Sequence, residues 1–287
     1  GMFPSEPIDY ITNGVHHLTW ISESMGKVFD AHLPEWRSDP TALITAEKDL
    51  PDNEIWDAHM INKRRLIAEV NKVSPIAFDD HTLTIASARR VVSYKRPELL
   101  YENLLRMKEV CCGRLQVIHA GNAHPADPFG QDVIKRMIER SSALKDCIRI
   151  VYMPNYNPEL AKLLVSGADV WLNTPMRLHE ASGTSGMKAS LNGAINLSTL
   201  DGWWIEGYER DPGSGWRIGP LASALPPEDT RKVDAEDLYT QLQYKVIPEY
   251  YYRPDKWISR MKRSISLLAY FSAQRCVEDY VKKAWNV

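Results

Sequence analysis

The sequence predicts an α/β protein built on a Rossmann-like parallel sheet with helices on both faces. Strand-like and helix-like segments alternate through the middle of the chain, and units of this length connect by right-handed crossovers that make the strands parallel. Of the 287 residues, 44% are hydrophobic and 25% are charged, which is ordinary usage for a globular protein with a core. This composition excludes disordered, collagen-like and fibrous chains.

The first predicted strand is Thr82–Ser87, a run of β-favouring residues between polar neighbours. A helix is predicted at Pro97–Val110, where proline marks the start. The apolar face of this helix is predicted to consist of Leu99, Leu100, Leu104, Leu105 and Met107. The alternation continues with predicted strands at Leu115–Ala120, Cys147–Tyr152, Asp169–Leu172 and Ala194–Leu197, and with predicted helices at Gln131–Ala143 and Pro158–Val165.

The segments on either side of this alternation have a different pattern. An irregular first stretch precedes Ile55–Lys72, whose apolar residues share one broad helical face. Two loop-rich segments, Asp211–Gly215 and Pro220–Pro227, precede long helices predicted at Ala235–Tyr250 and Pro254–Lys283, which should cover one edge of the sheet. The predicted regions are amino-terminal linker and helices at 1–80, a Rossmann-like core at 81–232 and carboxyl-terminal helices at 233–287.

Charge and residue spacing exclude several classes of function. The 35 basic and 37 acidic side chains give a net charge of −2, which does not favour nucleic acid as a partner. No apolar run approaches the roughly 18 to 20 residues that cross a bilayer, so no membrane association is expected. Four cysteines without a CxxC pair indicate a reducing, cytoplasmic setting, and the eight histidines lack the spacing of metal ligands, so no metal site is predicted.

The most informative segment for chemistry is EASGTSGMK, from Glu180 to Lys188, between two predicted strands. Glycines on the strand-to-helix side of a parallel sheet let backbone N–H groups approach an oxyanion, and a helix beginning near Thr184 adds its positive end. Thr184 and Lys188 are four residues apart and share a helical face, so an amine can reach a bound phosphate compound. The glycine pattern alone is equally well explained by an ordinary helix cap.

A second cluster, RRVVSYKR, spans Arg89 to Arg96 immediately after the first predicted strand. Four of its eight side chains are cations, and they lie at the end of the strand where open α/β sheets bind ligands. We therefore expect them to neutralise a phosphate dianion. The alternative is a solvated basic loop that pairs with surface carboxylates.

Together these segments resemble the α-glucan phosphorylases, and the resemblance runs in order along most of the chain. The most specific match is EASGTSGMK followed by LNG at 191–193 and LDGWW at 200–204, which resembles the short, archaeal and bacterial branch of the family. The other matching segments are TNGV at 12–15, the R-x-x-x-YKR pattern at 90–96, the glycine-rich turn AGNAHP at 120–125 and the pair Asn155-Tyr156.

The resemblance implies the carboxyl-terminal half of a glycosyltransferase B-type fold. It also implies an enzyme that uses orthophosphate to cleave the terminal α-1,4 bond of glycogen, starch or maltodextrin and releases α-glucose 1-phosphate with retention. The implied cofactor is pyridoxal 5'-phosphate.

The resemblance also assigns roles to individual residues. Lys188 would hold the cofactor covalently through its aldehyde, and Tyr156 would pack near the pyridoxal ring. The cofactor phosphate would be bound by Gly183, Thr184, Ser185 and Arg89. The substrate phosphate would be bound by Arg90 and Lys95, and the glucosyl hydroxyls by Glu180, Ser182 and Gly183. The implied catalytic residues are Lys188, Arg90, Lys95 and Glu180.

Two departures from the family pattern affect the expected activity. Asn122 stands where the family has a lysine in its glycine-rich turn, which removes a charge. The chain also matches only the carboxyl-terminal domain, so we expect it to be inactive without an amino-terminal phosphorylase domain as partner. Apolar surface left bare by that absence would favour a homo-oligomer.

Two other functions remain open from the sequence. One is a sugar-nucleotide glycosyltransferase domain that resembles glycogen synthase, although such an enzyme has no need of Lys188. The other is a truncated, non-catalytic domain that binds glucan or a partner chain.

Overall fold

A parallel sheet forms the centre of the computed structural model, which describes residues 9–221 and 230–285. In this part of the chain the sheet has six strands in the order β3-β2-β1-β4-β5-β6, and every neighbouring pair is parallel. Such an order is that of a doubly wound, Rossmann-type sheet, and the predicted fold class is confirmed. The strands are β1 (Leu83–Ala88), β2 (Leu115–Ala120), β3 (Arg149–Met153), β4 (Val170–Asn173), β5 (Ile195–Thr199) and β6 (Gly215–Ile218).

Helices surround this sheet, and none within the described residues is long and apolar enough to span a bilayer. Those before the sheet are α1 (His17–Trp20), α2 (Glu23–His32), α3 (Ala46–Asp49) and α4 (Asp52–Val70). Those between or after strands β1 to β5 are α5 (Leu104–Cys111), α6 (Pro128–Ser142), α7 (Pro158–Gly167), α8 (Ser185–Leu191) and α9 (Trp203–Arg210). The last ones are α10 (Thr230–Gln241), α11 (Ile247–Tyr252), α12 (Pro254–Ser266) and α13 (Ala273–Tyr280).

The five predicted strands are confirmed, but β6 was not expected. The sequence indicated a loop up to Gly215, whereas Gly215 begins a four-residue strand that pairs with β5. A strand so short, with glycine as its first residue, has too few alternating apolar and polar residues to be recognised from the sequence. Most of the loop predicted at Pro220–Pro227 lies outside the described residues.

The helix predicted at Pro97–Val110 is wrong in its first half. The chain forms a short 3₁₀ turn at Leu99–Tyr101, and α5 starts only after Asn103, whose side chain accepts the backbone N–H of Arg106 at 3.1 Å. This asparagine cap fixes a new helix start and changes which residues face the core. Leu105, placed on the predicted apolar face, is 82% exposed.

The terminal segments are more interrupted and more closely associated than predicted. The first stretch contains α1 to α3 rather than irregular chain, and the helix predicted at Pro254–Lys283 is divided where Ser272 caps α13. Val15 pairs with Ser272 through two backbone bonds, to the carbonyl of Phe271 at 3.0 Å and from the amide of Ala273 at 2.9 Å. The region boundaries at residues 80 and 232 stay a prediction.

A buried ionic cluster joins α4 to the amino-terminal ends of the strands. The Asp169 carboxylate accepts a bond from Lys63 Nζ at 2.6 Å and lies 2.8 Å from His59 Nε2. It also accepts the backbone N–H of Thr84 at 2.7 Å, and Lys63 donates to Tyr250 Oη at 2.8 Å. Because the side chains of Asp169 and Lys63 have no exposed surface, each charge is stabilised almost entirely by the other groups of the cluster.

Candidate functional site

The candidate site lies where the strand order of the sheet reverses, between β1 and β4. In open α/β sheets the carboxyl ends of the strands diverge at such a point and leave a crevice for ligands. Arg89 follows β1 directly, and its Nη2 donates to the carbonyl of Leu172 in β4 and to Ser87 Oγ at 2.9 Å. The guanidinium therefore spans the two strands that border the crevice.

Arg89 is a buried cation with unused hydrogen-bond donors. Its Nε and Nη1 have no hydrogen-bond partner within the described residues, and no carboxylate there forms an ion pair with it. Burial lowers the pKa of Arg89 to about 10, so the group stays charged at neutral pH. A buried charge with unsatisfied donors is costly, and an anion in the crevice would supply the missing partners.

The glycine turn predicted from EASGTSGMK is held beside this crevice by close backbone contacts. Gly183 has a φ of +73° and Gly202 a φ of +55°, both in the left-handed region that favours glycine. Trp203 N donates to Ser182 O at 2.9 Å, so the loop that contains Gly183 rests on the Gly202 turn. This backbone contact, together with the bond that Ser182 Oγ donates to Gly183 O at 3.1 Å, fixes Ser182 and Gly183 in place.

We expect Gly202→Ala to disrupt this loop. A Cβ at position 202 would lie 2.3 Å from Ser182 O, so the substitution adds a backbone clash to the strain of a positive φ. The free energy of unfolding should fall by at least about 2 kcal/mol in urea titrations.

Gly113→Ala is the matched control, because Gly113 has a φ of +68° but no atom lies within 4 Å of its added Cβ. Only conformational strain of about 1 kcal/mol is expected there. Equal losses in the two variants would show that the contact between Ser182 and the Gly202 turn has no energetic role.

The helix that carries Lys188 is short. α8 has seven residues, and Thr184 precedes it without forming a side-chain cap bond. Ser185 Oγ accepts a bond from Trp171 Nε1 at 3.2 Å, which ties the helix start to β4. Since so short a helix has a weak dipole, the attraction for an anion comes mainly from the side-chain charges of Arg89 and Lys188.

Lys188 is a half-buried amine without a carboxylate partner in the described part of the chain. Its Nζ lies 3.7 Å from the centre of the Trp20 ring, and burial lowers its pKa from the ordinary value. A lower pKa increases the fraction of neutral, nucleophilic amine near neutral pH. Sequence reasoning did not single out Trp20, whose carbonyl accepts Asn192 Nδ2 at 2.8 Å, because only the tertiary fold brings α1 to α8.

The predicted substrate-binding residues Lys95 and Glu180 lie together, and their side chains form an ion pair. The loop around Glu180 is fixed by Asp201, whose carboxylate accepts backbone N–H groups at 3.1 Å from Leu178, 3.2 Å from His179 and 2.8 Å from Glu180. Asp201 is thus a positioning residue. Its place in the LDGWW segment gives no local sign of this role, because the three amides that it binds lie 21 to 23 residues earlier in the chain.

The structure separates the cations of the basic cluster into different roles. Arg90 is exposed, and its side chain forms no hydrogen bond or ion pair within the described residues. Arg96 is buried, pairs with Asp234 at 2.8 Å and donates to the carbonyls of Thr174 and Pro175 at 3.0 and 2.9 Å. The expectation that all four cations neutralise a phosphate is therefore wrong for Arg96. This residue instead connects the segment after β1 to the segment after β4 and to α10.

Tyr156 and Asn122 lie on the β2–β3 side of the crevice. Asn122 Nδ2 donates to the carbonyl of Tyr156 at 3.1 Å, and Asn122 O accepts the backbone N–H of Val91 at 3.2 Å. Burial raises the pKa of the Tyr156 hydroxyl, and the charge of Arg89 lowers it in part. The asparagine therefore connects the Tyr156 loop to the basic cluster through neutral hydrogen bonds.

Comparisons with known proteins identify the family of this chain. Residues 2–211 match the family model for carbohydrate phosphorylases. The chain is 38% identical to glycogen phosphorylase of Aquifex aeolicus over 98% of its own length and 44% of that protein. It is 37% identical to maltodextrin phosphorylase of Thermococcus litoralis, with 98% and 36% covered, and 33% identical to glycogen phosphorylase of Mycobacterium tuberculosis, with 98% and 36% covered.

The chain thus spans less than half the length of the curated relatives it matches. The family match covers most of the sequence, including β1 to β5 and the crevice residues described above. The chain belongs to the carbohydrate phosphorylase family.

Proposed function

We propose that this chain is the carboxyl-terminal, cofactor-binding half of an α-1,4-glucan phosphorylase. Together with an amino-terminal half, this chain would transfer the terminal glucosyl unit of a glucan to orthophosphate. The product would be α-glucose 1-phosphate, with the anomeric configuration retained. The observation that carries the proposal is that Arg89, with its unpartnered donors, follows β1 directly, while the Gly183 turn and the Lys188 amine lie in the segment that leaves the same end of the neighbouring strand β4. Four free cysteines agree with a cytoplasmic location.

The residues of the crevice fit pyridoxal 5'-phosphate as cofactor. Lys188 offers an amine of lowered pKa for covalent attachment of an aldehyde, and the Nε and Nη1 donors of Arg89 suit a phosphate group. We assign Gly183, Thr184 and Ser185 to the same phosphate and Tyr156 to packing near the ring. When bound, the cofactor supplies a phosphate group that exchanges a proton with the substrate phosphate.

The remaining residues would bind the two substrates. Arg90 is exposed and free to reach orthophosphate, and Lys95 would join it. Their positive charges offset the repulsion between two neighbouring phosphates, and this electrostatic stabilisation lowers the barrier to glucosyl transfer. Glu180, Ser182 and the Gly183 backbone would hold the glucosyl hydroxyls and orient the bond that breaks.

We expect the isolated chain to be inactive and to gain activity with a matching amino-terminal half. The test mixes it with the amino-terminal half of Aquifex aeolicus glycogen phosphorylase, pyridoxal phosphate, maltodextrin and orthophosphate, and measures glucose 1-phosphate. Product should form only in the complete mixture.

The control mixture contains Lys188→Ala in place of the wild-type chain and should form no product. Turnover by the isolated chain at a rate typical of enzymes would contradict the proposed incompleteness. Absence of product despite measurable association of the halves would favour a non-catalytic, glucan-binding domain. The glycosyltransferase alternative is not favoured, because the matched relatives described above are phosphorylases.

A further inference from the structure

Two cysteines outside the candidate site lie side by side. Cys112 follows α5, and Cys147 lies just before β3. Gly113 N donates to the carbonyl of Cys147 at 2.8 Å, which holds the two chain segments next to each other. The two thiols also lie within hydrogen-bonding reach.

The backbone bond and the contact between the two thiols place Cys112 and Cys147 where a disulfide can form. A disulfide needs Cα atoms about 4.4 to 6.8 Å apart, so the two cysteines have to lie in directly neighbouring turns, as they do here. Cys112 is exposed and Cys147 is partly exposed, so a small oxidant can reach both. The adjacent Cys111 is buried, and burial raises the pKa of its thiol to about 12. Burial and the neighbouring Cys112 raise the pKa of Cys147 to about 11, so exposed Cys112 is the thiol that reacts first; once Cys112 is in a mixed disulfide, its contribution to the raised pKa of Cys147 is gone.

We propose that Cys112 and Cys147 form a reversible dithiol–disulfide pair that responds to low-molecular-weight disulfides such as oxidised glutathione. The thiolate of exposed Cys112 attacks one sulfur of the oxidant and releases one reduced glutathione. The thiolate of Cys147 then attacks Cys112 Sγ in the mixed disulfide and releases the second. Two cysteine thiols are oxidised, one glutathione disulfide is reduced to two thiols, and both cysteine protons end on the released glutathione.

The bond would enclose β2 and α6 in a covalent loop. Cys112 and Cys147 precede β2 and β3, so they lie at the amino-terminal edge of the sheet, opposite the crevice at its carboxyl edge. Oxidation should therefore stabilise the fold by restricting the unfolded chain and leave the candidate site accessible.

The test incubates the reduced protein with glutathione buffers of increasing oxidised fraction, blocks free thiols with N-ethylmaleimide and maps peptides by mass spectrometry. We expect a Cys112–Cys147 cross-linked peptide, a melting temperature higher by about 5 °C and reversal of both by dithiothreitol. Cys147→Ser should instead accumulate one glutathione on Cys112, and Cys112→Ser should form no internal bond.

Cys276→Ser is the control, because Cys276 lies in α13, and this variant should behave like the wild type. The proposal is overturned by a wild-type protein that keeps Cys147 free while Cys112 carries glutathione. A protein that does not react, or one that cross-links Cys111 instead, overturns it as well.

Discussion

Lys188→Ala should abolish covalent capture of pyridoxal phosphate by the isolated chain. The wild-type protein, mixed with the cofactor and reduced with borohydride, should carry one adduct, and mass mapping should place it on Lys188. The reason is that this amine is half-buried, has no carboxylate partner in the described residues and lies on α8, the helix that follows the crevice end of β4. Because burial lowers the pKa of Lys188, capture should reach its plateau at a lower pH than capture by free lysine in solution.

Lys27→Ala is the matched control for this experiment. Lys27 is an exposed lysine that pairs with Glu23 at 2.7 Å, away from the crevice, and its loss should leave the Lys188 adduct intact. Labelling spread over several surface lysines would argue against a formed cofactor site. The isolated half would then require its missing partner to build that site, or it would be a non-catalytic domain.

Asp169→Ala should destabilise the fold more than any surface substitution. It removes the carboxylate that accepts bonds from Lys63 and from the backbone of Thr84, and it leaves a fully buried ammonium group without its counter-charge. Breaking a buried ion pair in this way costs about 3 to 5 kcal/mol. The measurement is the free energy of unfolding from urea titrations followed by tryptophan fluorescence.

Glu23→Ala serves as the control, since it breaks the exposed pair with Lys27 and should cost less than about 1 kcal/mol. Burial raises the pKa of Asp169, but the charge of Lys63 and the bond from His59 outweigh it, and the net pKa is lowered. The stabilisation is therefore present above the ordinary aspartate pKa of about 3.9 and is lost as pH falls through the lowered value. A loss below about 1 kcal/mol for Asp169→Ala at neutral pH would contradict this account.

Local patterns predicted the sheet because its strands are buried and rich in β-favouring residues. The pattern predicts Leu115–Ala120 with its observed bounds. It also places EASGTSGMK after a buried strand, at the edge of the sheet where a crevice is expected. The errors arise where long-range contacts decide the outcome. The pairing of Arg96 with Asp234 and the approach of Trp20 to Lys188 join segments far apart in sequence, and neither leaves a local signal.

One of the differences does have a local signal in the sequence. Asn103 is a favoured helix-capping residue, and its position inside Pro97–Val110 could have indicated the second helix start. The assignments of Arg90, Lys95, Glu180, Ser182 and the cofactor-binding residues rest on the family resemblance and the crevice geometry, and they stay predictions until a ligand is bound.

The Lys95–Glu180 ion pair has a thermodynamic consequence for the proposed reaction. In the proposed roles, one member binds orthophosphate and the other binds the sugar, so each ligand must separate the pair. The first ligand to bind has a weaker net affinity, because its binding also has to break the Lys95–Glu180 pair. The second ligand then binds a residue that is no longer paired. By linkage the effect is reciprocal: a partly exposed pair worth about 1 kcal/mol would make each substrate increase the affinity for the other about fivefold.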